Sequence, residues 1–255
     1  MNGAKNLKNR LFDASASLER MEELFSVLPD RRMRDHRFFE EIQELDDEAV
    51  SELLETIYLA AIRKSVFAAS MLESLVQEED LQRAFGRERL SSIYQAADRA
   101  GHTLATEFLC PMPSPRLREP IKEGHRDLAK LTLGEKRALA RGCAAPLIEK
   151  LIVEPEPLVI RNLLNHPHLN VHQVLQISSR TPNFPEILME IFYNRRWSNR
   201  YEVRKSLLQN PYSPPRLVMA LLPWLTEQDV LSLKNGKRFS HAFLDRIISA
   251  MKTQD

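Results

Sequence analysis

The sequence predicts an all-α protein, and three observations carry that expectation. Glycine is scarce, with seven residues in 255, well under the ~7% common in globular chains. Few glycines leave few tight turns and phosphate-cradling loops, which argues against a nucleotide-binding α/β fold. Apolar residues recur with the 3.6-residue period of amphipathic helices, and no segment shows strand alternation of β-branched residues.

Composition sets the frame for the elements. With 43% hydrophobic and 28% charged residues, the chain has an ordinary globular composition, not a disordered one. Its length suits one or two domains. The start of the chain is charged and amphipathic, LFDASASLERMEELF after the first residues, unlike a signal peptide. The apolar stretches Ser65–Leu72 and Leu217–Thr226 fall short of the ~20 residues of a membrane span. The expectation is a cytoplasmic protein without a membrane partner, with Cys110 and Cys143 as reduced thiols.

The first helices are expected at Leu7–Leu28 and Arg37–Leu45. Asp46 or Asp47 then caps a long helix through about Gln77, with Val50, Leu53, Leu54, Ile57, Tyr58 and Ala61 on its apolar positions. Its middle is apolar almost all round, so it belongs at the centre of a bundle. Arg87–Ala100 and Thr103–Leu109 complete this half. The chain then changes character. Fourteen of the 15 prolines lie from Pro111 onward, residues 1–110 carry a net charge of −7, and residues 111–255 carry +8. The expected organisation is an acidic helical bundle over 1–110, a proline-rich connector over 111–130, and basic helical repeats over 131–255.

Three segments of the second half share a proline, a short gap and an amphipathic run: HPHLNVHQVLQI from His166, TPNFPEILMEIF from Thr181 and NPYSPPRLVMALL from Asn210. Two are preceded by similar runs, VIRNLLNHP from Val159 and VRKSLLQNP from Val203, which start 44 residues apart. A repeat of about 40–47 residues is the length of a helix-pair unit. The expected core is Leu163, Leu164, Val174, Leu175, Ile187, Leu188, Leu207, Leu208, Leu217, Val218, Leu221 and Leu222. Thr132 with Glu135 and Thr226 with Asp229 read as capping boxes. Ser213 reads as an N-cap ahead of proline, and Gly142 and Gly236 as left-handed helix ends.

The alternation VR-x-x-LL-x-NP-x-x-P-x-x-L over 203–217 resembles HEAT-like and leucine-rich-repeat-variant α-solenoids, and is similar to bacterial helical-repeat proteins of that build. The resemblance covers roughly residues 130–235. It implies stacked short helices and an extended groove, and it transfers no active-site residue. Leucine-rich-repeat-variant proteins can carry a cysteine cluster for an iron–sulfur centre; Cys110 and Cys143 stand alone here, so none is implied.

The candidate binding stretch is YNRRWSNRYEVRK, residues 193–205, which places Arg195, Arg196, Arg200, Arg204 and Lys205 beside Trp197 and Tyr201. Arginine pairs bidentately with carboxylate or phosphate, and aromatic rings stack on bases or guanidinium groups. The expected partner is an acidic protein segment. Nucleic acid in the same groove is the alternative, and docking of the acidic half on the basic half, within a chain or in a dimer, is a third reading. His166, His168 and His172 could offer zinc three imidazoles, but Pro167 separates the first two and no carboxylate completes the set, so loop and capping roles are expected. The acidic run Glu40, Glu41, Glu44, Asp46, Asp47 and Glu48 reads as a capped, solvated helix start. Asp35–His36 and His125 with Asp127 do not assemble a metal-dependent hydrolase. No nucleophile elbow, P-loop or zinc-protease motif occurs, and Cys143 reads as a small packed residue. The expectation is therefore a protein that is not an enzyme and takes no cofactor or metal.

Overall fold

The computed structural model describes residues 12–110, 125–236 and 238–253. No strand occurs among the described residues, and none of their helices is long and apolar enough to cross a membrane. The chain forms two compact units, Met1–Met112 with Leu222–Asp255, and Pro113–Leu221.

The first unit opens with α1 (Ala14–Ser26), α2 (Arg31–Gln43), α3 (Asp47–Ile62), α4 (Val66–Ser74), α5 (Glu78–Ala100) and α6 (Thr103–Leu109). Helix α3 is central, packed against α1, α4, α5 and α6. Asp46 starts it by accepting the Ala49 N–H at 2.8 Å. Val50, Leu53, Ile57, Tyr58, Ala61 and Ile62 are buried on its faces.

The expected single helix through Gln77 is broken at Lys64, which takes a left-handed conformation with φ 70°. That conformation costs an L-residue roughly 1–2 kcal/mol. The Lys64 ammonium offsets it by donating to the Pro223 and Leu225 carbonyls at 2.8 and 2.9 Å, and Ser65 starts α4 by accepting the Ala68 N–H. The expected helix Arg87–Ala100 is the second limb of α5, beyond a kink at Gly86, whose φ of 72° and ψ of 162° suit only glycine. Gly101 ends α5 in the left-handed region. The His102 N–H returns to the Ala97 carbonyl and the Gly101 N–H to Asp98, a Schellman closure. The left-handed ends expected at Gly142 and Gly236 do not form. Gly142 closes its helix without positive φ, and Gly236 is extended at φ −93°.

The second unit runs α7 (Leu133–Gly142), α8 (Ala145–Leu151), α9 (Pro157–Leu164), α10 (Val171–Ser179), α11 (Pro185–Tyr193), α12 (Arg195–Ser198), α13 (Tyr201–Gln209) and α14 (Pro215–Leu221). The Thr132–Glu135 capping box opens α7 with both of its reciprocal bonds present. Helix α9 packs between α7 and α11, and α13 packs on α10 and α14.

The 44-residue spacing of the sequence recurs in the helix starts, Pro157 to Tyr201 for α9 and α13 and Val171 to Pro215 for α10 and α14, and a second spacing of 30 residues stands beside it. Helices α10 and α13 start 30 residues apart, at Val171 and Tyr201, as do α11 and α14, at Pro185 and Pro215. Buried positions coincide through both copies: Val174 with Arg204, Ile177 with Leu207, Asn183 with Ser213, Ile187 with Leu217. The loop device repeats too. Asn183 donates its amide to the Ile177 carbonyl and Ser213 its hydroxyl to the Leu207 carbonyl, each closing the helix six residues upstream. The Ser213 hydroxyl thus closes the C-terminal end of α13. The runs from Val159 and Val203 fall in α9 and α13, which bury matching residues, Val159 with Val203, Leu163 with Leu207 and Leu164 with Leu208, and both contact α11. Each ends a helix before a proline loop. All of the expected core positions are buried except Leu175, which is half-buried; Ile177 takes the interior place.

The chain returns to the first unit through a 3₁₀ turn at Leu222–Trp224, followed by α15 (Glu227–Ser232) and α16 (His241–Lys252). The Thr226 hydroxyl accepts the Asp229 N–H at the start of α15. Helix α16 packs on α15 and α3. The segment expected to run from 131 to 255 is therefore divided at Leu221/Leu222, because α16 finds its apolar partner in α3. Charge follows the units: Pro113–Leu221 holds 17 Lys+Arg and 10 Asp+Glu, a net of +7, and the rest of the chain nets −6.

Candidate functional site

The basic stretch 193–205 forms a surface on the second unit. Asn194 starts α12 by accepting the Arg196 N–H. Trp197 is 2% exposed, and its indole N–H donates to the Leu164 carbonyl at 2.7 Å, so α12 is pinned against the end of α9. The Arg196 guanidinium lies 4.5 Å from the Trp197 ring centre. It also donates to the His166 carbonyl at 2.9 Å and, more loosely, to those of Pro167 and Leu169. Arg200 sits over the same ring at 5.6 Å. Both contacts fall within cation–π range.

An open recess of about 550 Å³ lies beside this arrangement, lined among others by Arg161, Asn165, Glu190, Tyr193, Arg195 and Arg196. Two N–H groups of Arg161 grip the Glu190 carboxylate, one at 2.7 Å. That carboxylate holds the Arg161 guanidinium above its usual pKa through hydrogen bonding and charge. The Asn194 amide donates to Asn165 across α9 and α11 at 3.1 Å.

Of the seven residues expected to bind, Arg195, Arg196 and Arg200 are exposed, Tyr201 and Lys205 are half-buried, and Trp197 and Arg204 are buried. Arg204 donates to the Ser198 carbonyl at 2.6 Å and closes α12 from inside. Arg161, Asn165 and Glu190 join the surface without lying in the basic run. Their signal was spacing: Arg161 to Glu190 and Asn165 to Asn194 are both 29 residues apart, close to the 30-residue spacing of the helix starts.

The other candidate groups have structural partners. His166 is buried, with Nδ1 accepting the His168 N–H and Nε2 bonded to the Cys143 carbonyl at 3.1 Å; a neutral ring protonated at Nε2 satisfies both. His172 contacts Gln176. Burial raises the Cys143 thiol pKa. Glu40 and Glu41 pair with Arg37, Asp47 with Arg89, and Asp127 with Lys150. Among the described residues no group of three or more His, Cys, Asp or Glu is placed to hold a metal ion.

A smaller recess of about 330 Å³ in the first unit is lined by residues including Thr103, Thr106, Glu107, Phe243 and Arg246. Burial raises the Glu107 carboxyl pKa, so the folded chain holds that proton more tightly than the unfolded chain. Stability is then lost as pH rises through the window between the ordinary glutamate pKa and the raised one. Glu107→Gln is expected to raise the unfolding midpoint at neutral pH, with the gain vanishing below about pH 4. Urea titrations at both pH values check this; an equal effect at both would contradict it.

Comparison of the chain with protein-family models, curated proteins and solved structures gives no match.

Proposed function

We propose that this chain is a non-catalytic interaction scaffold that binds an acidic protein segment on the basic surface of its second unit. The observation that carries the reading is the held geometry of the arginines. Arg196 is fixed by an indole face and by backbone carbonyls, and Arg161 by Glu190. Cations positioned before binding lose little side-chain entropy when they meet carboxylates. The open recess with Tyr193 at its edge, 42% exposed, suits a segment lying across it, and the +7 of the unit speeds the encounter. Its arginines engage the backbone and Glu190, which favours binding over acid–base chemistry. We read the repetition of helix pairs at 44-residue spacing as a HEAT-like solenoid of bacterial type, working in the cytoplasm.

Arg195→Glu with Arg200→Glu is the informative variant, since Arg196, Trp197 and Arg204 also hold the fold. Fluorescence anisotropy with labelled polyglutamate is expected to show binding that weakens at least about tenfold in the variant. Duplex and single-stranded DNA are titrated in parallel from about 50 to 200 mM salt. Tighter DNA binding whose affinity falls ~10³-fold or more over that range assigns the surface to phosphate and overturns the reading.

A further inference from the structure

We propose that a second copy of this chain supplies the acidic segment: the outer face of α1 in one copy seats on the recess beside α9, α11 and α12 of another. The inference rests on the function proposed above and adds the partner's identity.

Helix α1 buries Ala14, Leu18, Met21 and Phe25. Its outer face shows Glu19, Glu23, Leu24 and Val27, with Glu22 alongside. Leu24 is 46% and Val27 77% exposed. None of the three glutamates forms an ion pair with a described residue, and the cation on this helix, Arg20, contacts Glu41 at 3.4 Å.

This face works against its own helix. Glu23 lies in the last turn and Glu22 just before it, and the last turn holds no basic residue. The negative end of the helix dipole disfavours carboxylates there. Two large aliphatic side chains in water add to the mismatch. A surface that breaks a local rule in charge and in exposure is accounted for by a partner that supplies positive charge and an apolar contact.

The recess offers both. Arg195 and Arg196 line it beside the Arg161–Glu190 pair, Arg200 stands close by on Trp197, and Tyr193 provides the exposed ring. The net charges agree. The −6 of one copy's first unit is attracted to the +7 of another's second unit, while the whole chain at +1 leaves little repulsion between copies.

The test uses the full chain and light scattering on a sizing column at about 50 and about 300 mM salt, since screening separates ionic from apolar association. The expected mass exceeds the 29.5 kDa of one chain at low salt and falls towards it at high salt. The triple variant Glu19→Lys, Glu22→Lys, Glu23→Lys and the double variant Arg195→Glu, Arg200→Glu are each expected to weaken self-association at least about tenfold. Mixing the two variants in equal amounts restores it, because the reversed charges again face each other. All five positions are exposed, and unchanged circular dichroism melts confirm that the variants are folded; if a variant melts early, Glu23→Gln and Arg195→Gln replace it. A single-chain mass at every concentration, or association that the mixture fails to restore, overturns the proposal. A wild-type chain that stays single yet binds polyglutamate through Arg195 and Arg200 overturns this inference alone and leaves the proposed function standing.

Discussion

Trp197→Ala is expected to destabilise the protein by about 4 kcal/mol, the range for deleting a large buried aromatic side chain. The indole is 2% exposed, its N–H satisfies the Leu164 carbonyl, and its face carries the Arg196 guanidinium. Removing it opens a cavity, strands a carbonyl and releases the arginine together. Trp197→Phe keeps a ring under Arg196 and loses the N–H donor, so its expected cost is smaller, about 1–2 kcal/mol. Urea unfolding followed by circular dichroism measures both. A cost below about 1 kcal/mol for the alanine variant contradicts the pinning of α12. Polyglutamate affinity measured well below the transition adds a second reading. It is expected to fall in Trp197→Ala, because Arg196 loses its fixed position, and to survive in Trp197→Phe.

Glu55→Ala is expected to cost about 3 kcal/mol or more, since it leaves two buried backbone N–H groups without an acceptor, each at about 1–3 kcal/mol. One Glu55 oxygen accepts the Leu104 and Ala105 N–H groups, both at 2.9 Å, and the other accepts Arg246 at 2.6 Å. This carboxylate, 5% exposed, therefore joins three helices: it sits on α3, starts α6 and holds α16. The cost comes chiefly from the two backbone N–H groups, whose residues are fully buried. Arg246 is 43% exposed, so solvent screens its share. Arg246→Ala is accordingly expected to cost less than about 1 kcal/mol, and Glu55→Gln to fall between the two because the amide keeps one acceptor oxygen. Equal losses for Glu55→Ala and Arg246→Ala contradict this division.

Some features are legible in the sequence because their causes lie within a few residues. The all-α class follows from the 3.6-residue period, the start of α3 from Asp46, and the start of α7 from the Thr132–Glu135 box. The core positions of α9, α10, α11, α13 and α14 follow from the same period, except that Leu175 yields the interior to Ile177. In the basic run, Arg195, Arg196, Trp197, Arg200 and Arg204 show positive charge and an aromatic ring in the sequence, but composition does not say which side chains turn inward. Arg196 and Arg204 are alike as letters; one lies exposed over an indole and the other is buried under α12.

By itself, then, the sequence determines the helices, most of their apolar faces, the acidic and basic halves, and the residue types of the candidate surface. Only the tertiary structure decides where the long first-half helix breaks and where the second unit ends. The break at Lys64 depends on carbonyls 159 and 161 residues further along the chain. The division after Leu221 depends on α16 meeting α3, and the Arg161–Glu190 pair on α9 meeting α11. Helical periodicity and caps act between residues no more than about four apart, so the pattern of letters records them. Contacts between distant segments arise only when apolar faces pack, and that pattern carries no record of which face meets which.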